Sequence, residues 1–446
     1  MLKRKAYDAL IAWKKQYDGK RSALLVGARR VGKSTIAEEF ARRKYRSYIL
    51  IDFANITKEE KTIFDDIADL DNFFLRLQTI KRVTLHQRQS VIIFDEIQLA
   101  PLVRQAIKHL VKDGRYDYIE TGSLISIKKN VKNILIPSEE YKINVYPLDY
   151  EEFMWACGND TYPLLCSLLS RNKPIGEATN RKLMKDFRIY MAVGGMPQAV
   201  VAYLEKQNFS EIDAIKQGIL SLYMDDFRKI DQSGRLGMIF NAIPSQLALG
   251  KRRFVLSNAT SKRTTSKDEE LLFELIESKT VIPCYNTHEP SPFLAQTKNL
   301  KQFKLYLADI GLFTTMLFAN ENLANEDIYV KLLSNKLSAN LGYLYENVLA
   351  QIINSSGREL YFHSWNEVGK THKYEIDFLL AKASKIIPIE VKSSAAKNYR
   401  SITEFSKKYS AVVSRQVLFS QKDIGHNAMV ELLPIYLAPA FLDELG

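Results

Sequence analysis

The stretch Ser22–Thr35, SALLVGARRVGKST, constrains this chain more than any other. An apolar run ends at Gly27, four residues separate it from Gly32, Lys33 and Ser34 follow, and TIAEEFARR then continues at helical spacing. A buried strand that turns through glycines into a helix exposes backbone N–H groups at a helix N-terminus, where the dipole favours an anion. The spacing therefore predicts a phosphate-cradling loop on a parallel α/β sheet, with Gly27, Ala28, Arg29, Arg30, Val31, Gly32, Lys33, Ser34 and Thr35 surrounding a nucleotide. Lys33 reaches the outer phosphates, and the Ser34 hydroxyl completes a Mg²⁺ shell.

A second stretch, SVIIFDEIQ, is a short apolar strand closing on Asp95 and Glu96. Such a run suits a central parallel strand covered on both faces, with acids presented at its carboxyl end. Asp95 is expected to hold Mg²⁺ and Glu96 to polarise the attacking water; an acidic helix cap is the structural alternative. YDYIETGSL reads as another strand, whose tip residues Thr121 and Ser123 either sense the γ-phosphate or form a small-residue turn. YILIDFANI supplies a further strand ending in Asp52, and APLVRQAIKHLVKDG is amphipathic at helical spacing with Gly114 as its stop.

The chain has 446 residues, 46% of them hydrophobic, which is more than one core needs and implies several domains. The N-terminal MLKRKAYDALIAWKK lacks an apolar signal core, and no run approaches the roughly 20 apolar residues of a membrane span, so a cytoplasmic location without membrane contact is expected. Cys157, Cys166 and Cys284 have no paired spacing, which argues against a disulfide framework or a zinc site. The net charge of +12 fits a nucleic-acid partner, and equally fits a lysine-rich surface without one.

Gly27–Ser34, Phe94–Gln98, Thr121–Ser123, YPLDYEEF (Tyr146–Phe153) and YMAVGGMPQAV (Tyr190–Val200) together resemble the AAA-type (AAA_14-like) bacterial and archaeal ATPases that carry a C-terminal DUF4143 region. The resemblance spans nearly the whole chain. It implies ATP as the nucleotide and the ASCE-type P-loop architecture. No arginine finger stands out; Arg104, Arg115 and Arg188 are equal candidates, and a neighbouring subunit or protein partner could supply one.

The expected organisation is a P-loop ATPase core over 1–155, a helical lid or connector over 156–230, a winged-helix-like region over 231–330 and a C-terminal domain over 331–446. The winged helix is suggested by a helix, a basic connector, a second helix and strand-like runs at VIPCYN and KLYLADIGLF. The clusters Lys251–Arg253 and Ser261–Lys267 would face phosphates, though such modules also serve as packing or lid elements.

In the last region KYEIDFLL and KIIPIEVKSS lie about one hairpin apart, and strand alternation puts Glu390 and Lys392 on one side. Asp377 reaches that side if the two runs pair. Two bare carboxylates at ~4 Å repel by roughly 4 kcal/mol at an effective dielectric of 20, so a cation must offset them, and Mg²⁺ suits the ligand set. This Asp…Glu-x-Lys pattern resembles the PD-(D/E)XK nuclease fold, a restriction-endonuclease-like α/β domain, with Ile376-Asp377 in place of Pro-Asp. The fold implies a further helix acid, for which Glu346 stands at the expected place. The reading is an ATPase coupled to a Mg²⁺-dependent nuclease-like module, with DNA as the favoured partner. The alternative is a nucleotide-controlled switch or scaffold whose nuclease fold is catalytically silent.

Overall fold

The computed structural model describes residues 2–124, 135–250, 253–260, 265–318, 325–334, 342–366, 373–393 and 399–446. The chain divides into two units, Met1–Tyr146 with Glu277–Lys279, and Pro147–Ile276 with Thr280–Gly446.

The first unit is built on strands β1 (Ser22–Val26), β2 (Ser47–Asp52), β3 (Ser90–Asp95), β4 (Asp117–Gly122) and β5 (Glu140–Asn144). They form one sheet in the order β2-β3-β4-β1-β5, and every pairing is parallel. Around it lie α1 (Lys5–Tyr17), α2 (Lys33–Lys44), α3 (Lys58–Ile63), α4 (Leu70–Lys81) and α5 (Pro101–Asp113). All residues of β1, β3 and β4 are buried, as the unbroken apolar runs predicted for strands covered on both faces. β4 lies between the P-loop strand and the acidic strand, so Ser34 and Asp95 approach the same end of the sheet from either side of it. Gly114 ends α5 with φ +76°, the left-handed conformation expected of a glycine stop.

Burial in β4 has a cost at Glu120. Its side chain is fully buried, and neither carboxylate oxygen makes a hydrogen bond of acceptable geometry. Burial first, then the Glu140 carboxylate, pushes its pKa from 4.5 up to about 8, with Ser22 and Arg104 opposing the rise. A carboxyl held above its unfolded value stabilises the fold fully below pH ~4.5 and loses that contribution as pH rises through about 8. The loss is on the order of 4 kcal/mol for a fully buried group. Glu120→Gln is therefore expected to leave the melting temperature nearly unchanged at pH 5 and to raise it by several degrees at pH 9. Melting curves of both proteins at the two pH values check this.

In the second unit, helices occupy most of residues 150–276, the longest among the described residues being Phe209–Ile230. They lead into β6 (Val281–Thr287) and β7 (Lys298–Leu307), and after further helices into β8 (Leu360–Asn366), β9 (Lys373–Lys382), β10 (Lys385–Val391), β11 (Gln416–Ser420), β12 (Gly425–Asn427) and β13 (Val430–Pro434). All eight strands belong to one mixed sheet in the order β12-β13-β11-β10-β9-β8-β6-β7. The helix Gly342–Ser355 packs against it, Asn347 bonding both backbone groups of Leu307.

This arrangement revises the expected domain plan. The strands anticipated as the wing of a winged helix are β6 and β7, which form one edge of the large sheet through parallel pairing of β6 with β8. A boundary at 330 thus cuts through a single sheet. Strand periodicity shows which segments are extended but not which partner each finds. The region 156–230 is likewise bound into the same unit: the Gly194-Gly195 turn, with Gly194 at φ +83°, packs on Gly311, and the Gly195 N–H donates to Asp309 at 2.6 Å. Of the two basic clusters, Lys251, Arg252 and 261–264 lie outside the described residues.

Candidate functional site

The loop after β1 is shaped by close backbone approach. A Cβ on Gly27 would sit 2.1 Å from the Val145 carbonyl oxygen, so only glycine fits there. Gly32, at φ +94°, caps the N-terminus of α2, and Lys33 and Ser34 open that helix. Lys33 is buried, and its Nζ donates to the carbonyls of Gly27 and Ala28 at 3.0 and 2.8 Å, curling back over the loop that would hold a phosphate. Burial pushes its pKa down to about 8 against the pull of Glu96 and Asp95. Arg29 lies near enough to lower it further.

Opposite the loop, Asp95 gathers the hydroxyls. Ser34 Oγ donates to Asp95 Oδ1 at 2.7 Å, and Thr121 Oγ1 donates to the same oxygen. Thr121 is fully buried and thus orients Asp95. Ser123 Oγ donates to Glu96 Oε2 at 3.4 Å, and Gln98 Nε2 also donates to that oxygen. Glu96 sits at φ +55°, a left-handed conformation uncommon for a residue with a side chain and enriched at functional sites. Lys33, Ser34, Asp95, Glu96, Thr121 and Ser123 therefore share one region at the carboxyl end of the sheet. Gln98 was missed by the sequence reading, although it stands two residues after Glu96.

Of the proposed fingers, Arg104 is buried in a bidentate ion pair with Glu140 at 2.7 and 2.9 Å. Arg115 pairs with Asp113 and Asp71, and Arg188 donates to Gln421 and to the Leu333 carbonyl. All three are engaged in contacts of their own; amphipathic periodicity does not reveal such partners.

In the second unit β9 and β10 do pair as neighbours. The antiparallel register ends at the Ile389–Phe378 pair, and Glu390 and Asp377 are the next residue on each strand. Asp377 accepts the Val391 N–H at 2.9 Å, and Lys392 Nζ lies 3.5 Å from Glu390 Oε2. Burial, then the Glu346 carboxylate, drives the Asp377 pKa up to about 8; Lys392 and Lys304 oppose this and Glu390 adds to it. Burial likewise raises Glu390, while Asp377 and Glu390 hold Lys392 above its ordinary value against burial. Glu346, Glu390 and Lys392 thus each lie within electrostatic reach of Asp377.

Three neighbours escaped the sequence reading. Lys304 Nζ lies 2.7 Å from Glu375 and 3.5 Å from Glu346, and Tyr306 donates to Glu346 at 3.1 Å. Their signal was alternation: Glu375 precedes Asp377 by two residues in β9, and Lys304 and Tyr306 alternate in β7. Among the described residues no group of three or more His, Cys, Asp or Glu side chains is arranged to hold a metal ion. The expected ligands Glu346, Asp377 and Glu390 share a neighbourhood without forming a ready cage, because Lys304 draws Glu346 and the Val391 N–H takes one Asp377 oxygen. Among the described residues Glu390 Oε1, by contrast, is buried without a well-formed hydrogen bond, although the Ile402 backbone N–H lies near enough to oppose the rise in its pKa.

Residues 19–154 match the family described as "AAA domain". Residues 184–323 match a domain of unknown function, DUF8612, and 341–437 match another, DUF4143. No curated protein matches the chain. Among solved structures, the Walker-type ATPase paby2304 of Pyrococcus abyssi is 17% identical, with 71% of this chain and 96% of that one covered and a TM-score of 0.44. CDC6p from Pyrobaculum aerophilum is 12% identical, with 74% and 94% covered and a TM-score of 0.26. Likenesses at this level carry no functional argument. The family match, the parallel sheet and the loop geometry make the first unit an AAA-type P-loop ATPase domain, and the chain an ATPase by that domain. Among the described residues no helix is long and apolar enough to cross a membrane.

Proposed function

We propose that the protein hydrolyses ATP·Mg²⁺ at the P-loop and that this cycle governs Mg²⁺-dependent phosphodiester hydrolysis by the C-terminal cluster, with nucleic acid, DNA foremost, as substrate. At the first site Ser34 and Asp95, already joined by a hydrogen bond, would hold the ion. Lys33 would leave the Gly27 and Ala28 carbonyls for the triphosphate, and Glu96 would accept a proton from the attacking water.

The observation that carries the second half is the β9–β10 pairing, which ends at Phe378–Ile389 and so leaves Asp377 and Glu390 as the next residue on each strand. They are near enough for Glu390 to act on Asp377, with Lys392 Nζ 3.5 Å from Glu390. The donor set is chemically suited to a divalent ion but would have to close in around it: among the described residues Glu390 Oε1 is buried without a well-formed hydrogen bond, and Asp377 is pushed toward its protonated form by burial and then by neighbouring carboxylates. Glu346, Asp377 and Glu390 would hold the ion, and when bound it would polarise the phosphate and acidify a water. Lys392 would offset charge developing on the phosphate. A plasmid-nicking assay with Mg²⁺ on the wild type, Asp377→Ala and Lys392→Ala tests the reading. Cleavage by the wild type alone upholds it; equal residual cleavage by all three, or none under any metal, removes it in favour of a silent fold that binds a partner.

A further inference from the structure

The sheet face that bears the acidic cluster continues past it. In β9, Lys373, Glu375 and Asp377 alternate onto one side. The β8 partners of the first two are Asn366 and Ser364, which therefore share that side. Gln302 stands two residues before Lys304 in β7, on the same side by the contact of Lys304 with Glu375. Asn286 ties these strands together, donating to Gln302 at 2.9 Å and accepting the Ser364 N–H at 3.2 Å. At the far end the Phe254 N–H donates to the Phe303 carbonyl at 2.6 Å, which fixes exposed Arg253 over the β7 edge.

Arg253, Gln302, Ser364, Asn366 and Lys373 line a cavity of about 550 Å³. Among the described residues that line it, two are cations and none is a carboxylate. Guanidinium, ammonium, carboxamides and a hydroxyl are the groups that hold phosphate and sugar oxygens without reading bases. Asp377 lies four steps along β9 from Lys373, a span of about 13 Å at the usual strand rise, with the Lys304–Glu375 pair between. A lone phosphate cannot touch both ends of that span. A strand whose phosphates recur along its length can.

We propose that this pocket is a backbone-binding subsite, in which Arg253 and Lys373 grip a nucleic-acid strand at a phosphate removed from the one presented to Asp377, Glu390 and Lys392. The inference rests on the phosphodiesterase reading of that cluster, and it assigns the grip to charge and hydrogen bonding, so binding is independent of sequence.

The test is fluorescence anisotropy of the full-length protein with labelled single-stranded oligonucleotides of two unrelated sequences, in EDTA so that binding is read without cleavage. Arg253→Gln/Lys373→Gln is expected to weaken binding of both sequences at least about tenfold. It should also reduce the slope of log affinity against log salt by roughly 0.7 for each lost phosphate contact. Lys373→Arg should bind as the wild type does, and unchanged melting curves establish that the double variant is folded. The proposal is overturned if the wild type binds neither oligonucleotide, if the double variant keeps wild-type affinity and salt slope, or if inorganic polyphosphate is bound and the oligonucleotides are not. Binding lost in the double variant, with no cleavage by the wild type once Mg²⁺ is restored, upholds the subsite and removes the catalytic reading alone.

Discussion

Glu96→Gln is expected to reduce ATP turnover by about 10²–10⁴-fold, the usual worth of a positioned general base, while nucleotide affinity stays close to that of the wild type. Glu96 lies one residue beyond Asp95, and its Oε2 receives Gln98 and Ser123, which aim it. Glutamine preserves the size of the side chain and its donors but cannot take the proton. Lys33→Ala should behave differently, because Lys33 is the buried cation of the loop and its loss removes binding of the triphosphate itself. Fluorescent-nucleotide titration beside steady-state phosphate release separates the two. A Glu96→Gln protein that loses affinity without losing turnover would assign Glu96 to binding.

The second large effect concerns Asp377. Asp377→Asn should lower Mg²⁺-dependent strand cleavage by at least about 10²–10³-fold, the scale for losing one electrostatic contact made in the transition state. The asparagine retains an oxygen for the Val391 N–H, so the β9–β10 hairpin persists. It also removes a carboxylate that burial and Glu346 already push up to about 8, so the metal-free unit should be no less stable than the wild type at pH 8. Loss of cleavage together with loss of fold would point to a structural role for Asp377. Loss of cleavage with an intact melting curve assigns it to the chemistry.

The contrast between the two units shows what a single sequence makes legible. The P-loop and the strand ending at Asp95 were readable because each is local: glycine freedom, an apolar run and a helix start within a few residues fix both conformation and chemistry. Asp377, Glu390 and Lys392 were readable because a hairpin fixes their alternation. What escaped was remote pairing. Lys304 and Tyr306 lie about 70 residues from Glu375 and Asp377, and only the parallel joining of β6 to β8 brings them to the same face. The same pairing turned the anticipated wing into a sheet edge. Thr121 illustrates a finer limit: its place at a strand tip was evident, but the hydroxyl is directed at Asp95, a choice made by packing between β3 and β4.

Isothermal titration of nucleotide-free protein with Mg²⁺, comparing the wild type, Asp95→Asn and Glu390→Gln, bears most directly on whether the second unit is itself a cation site. The account predicts a binding event that needs no nucleotide, survives Asp95→Asn and vanishes in Glu390→Gln. Binding absent from the wild type, or undiminished in Glu390→Gln, would contradict it.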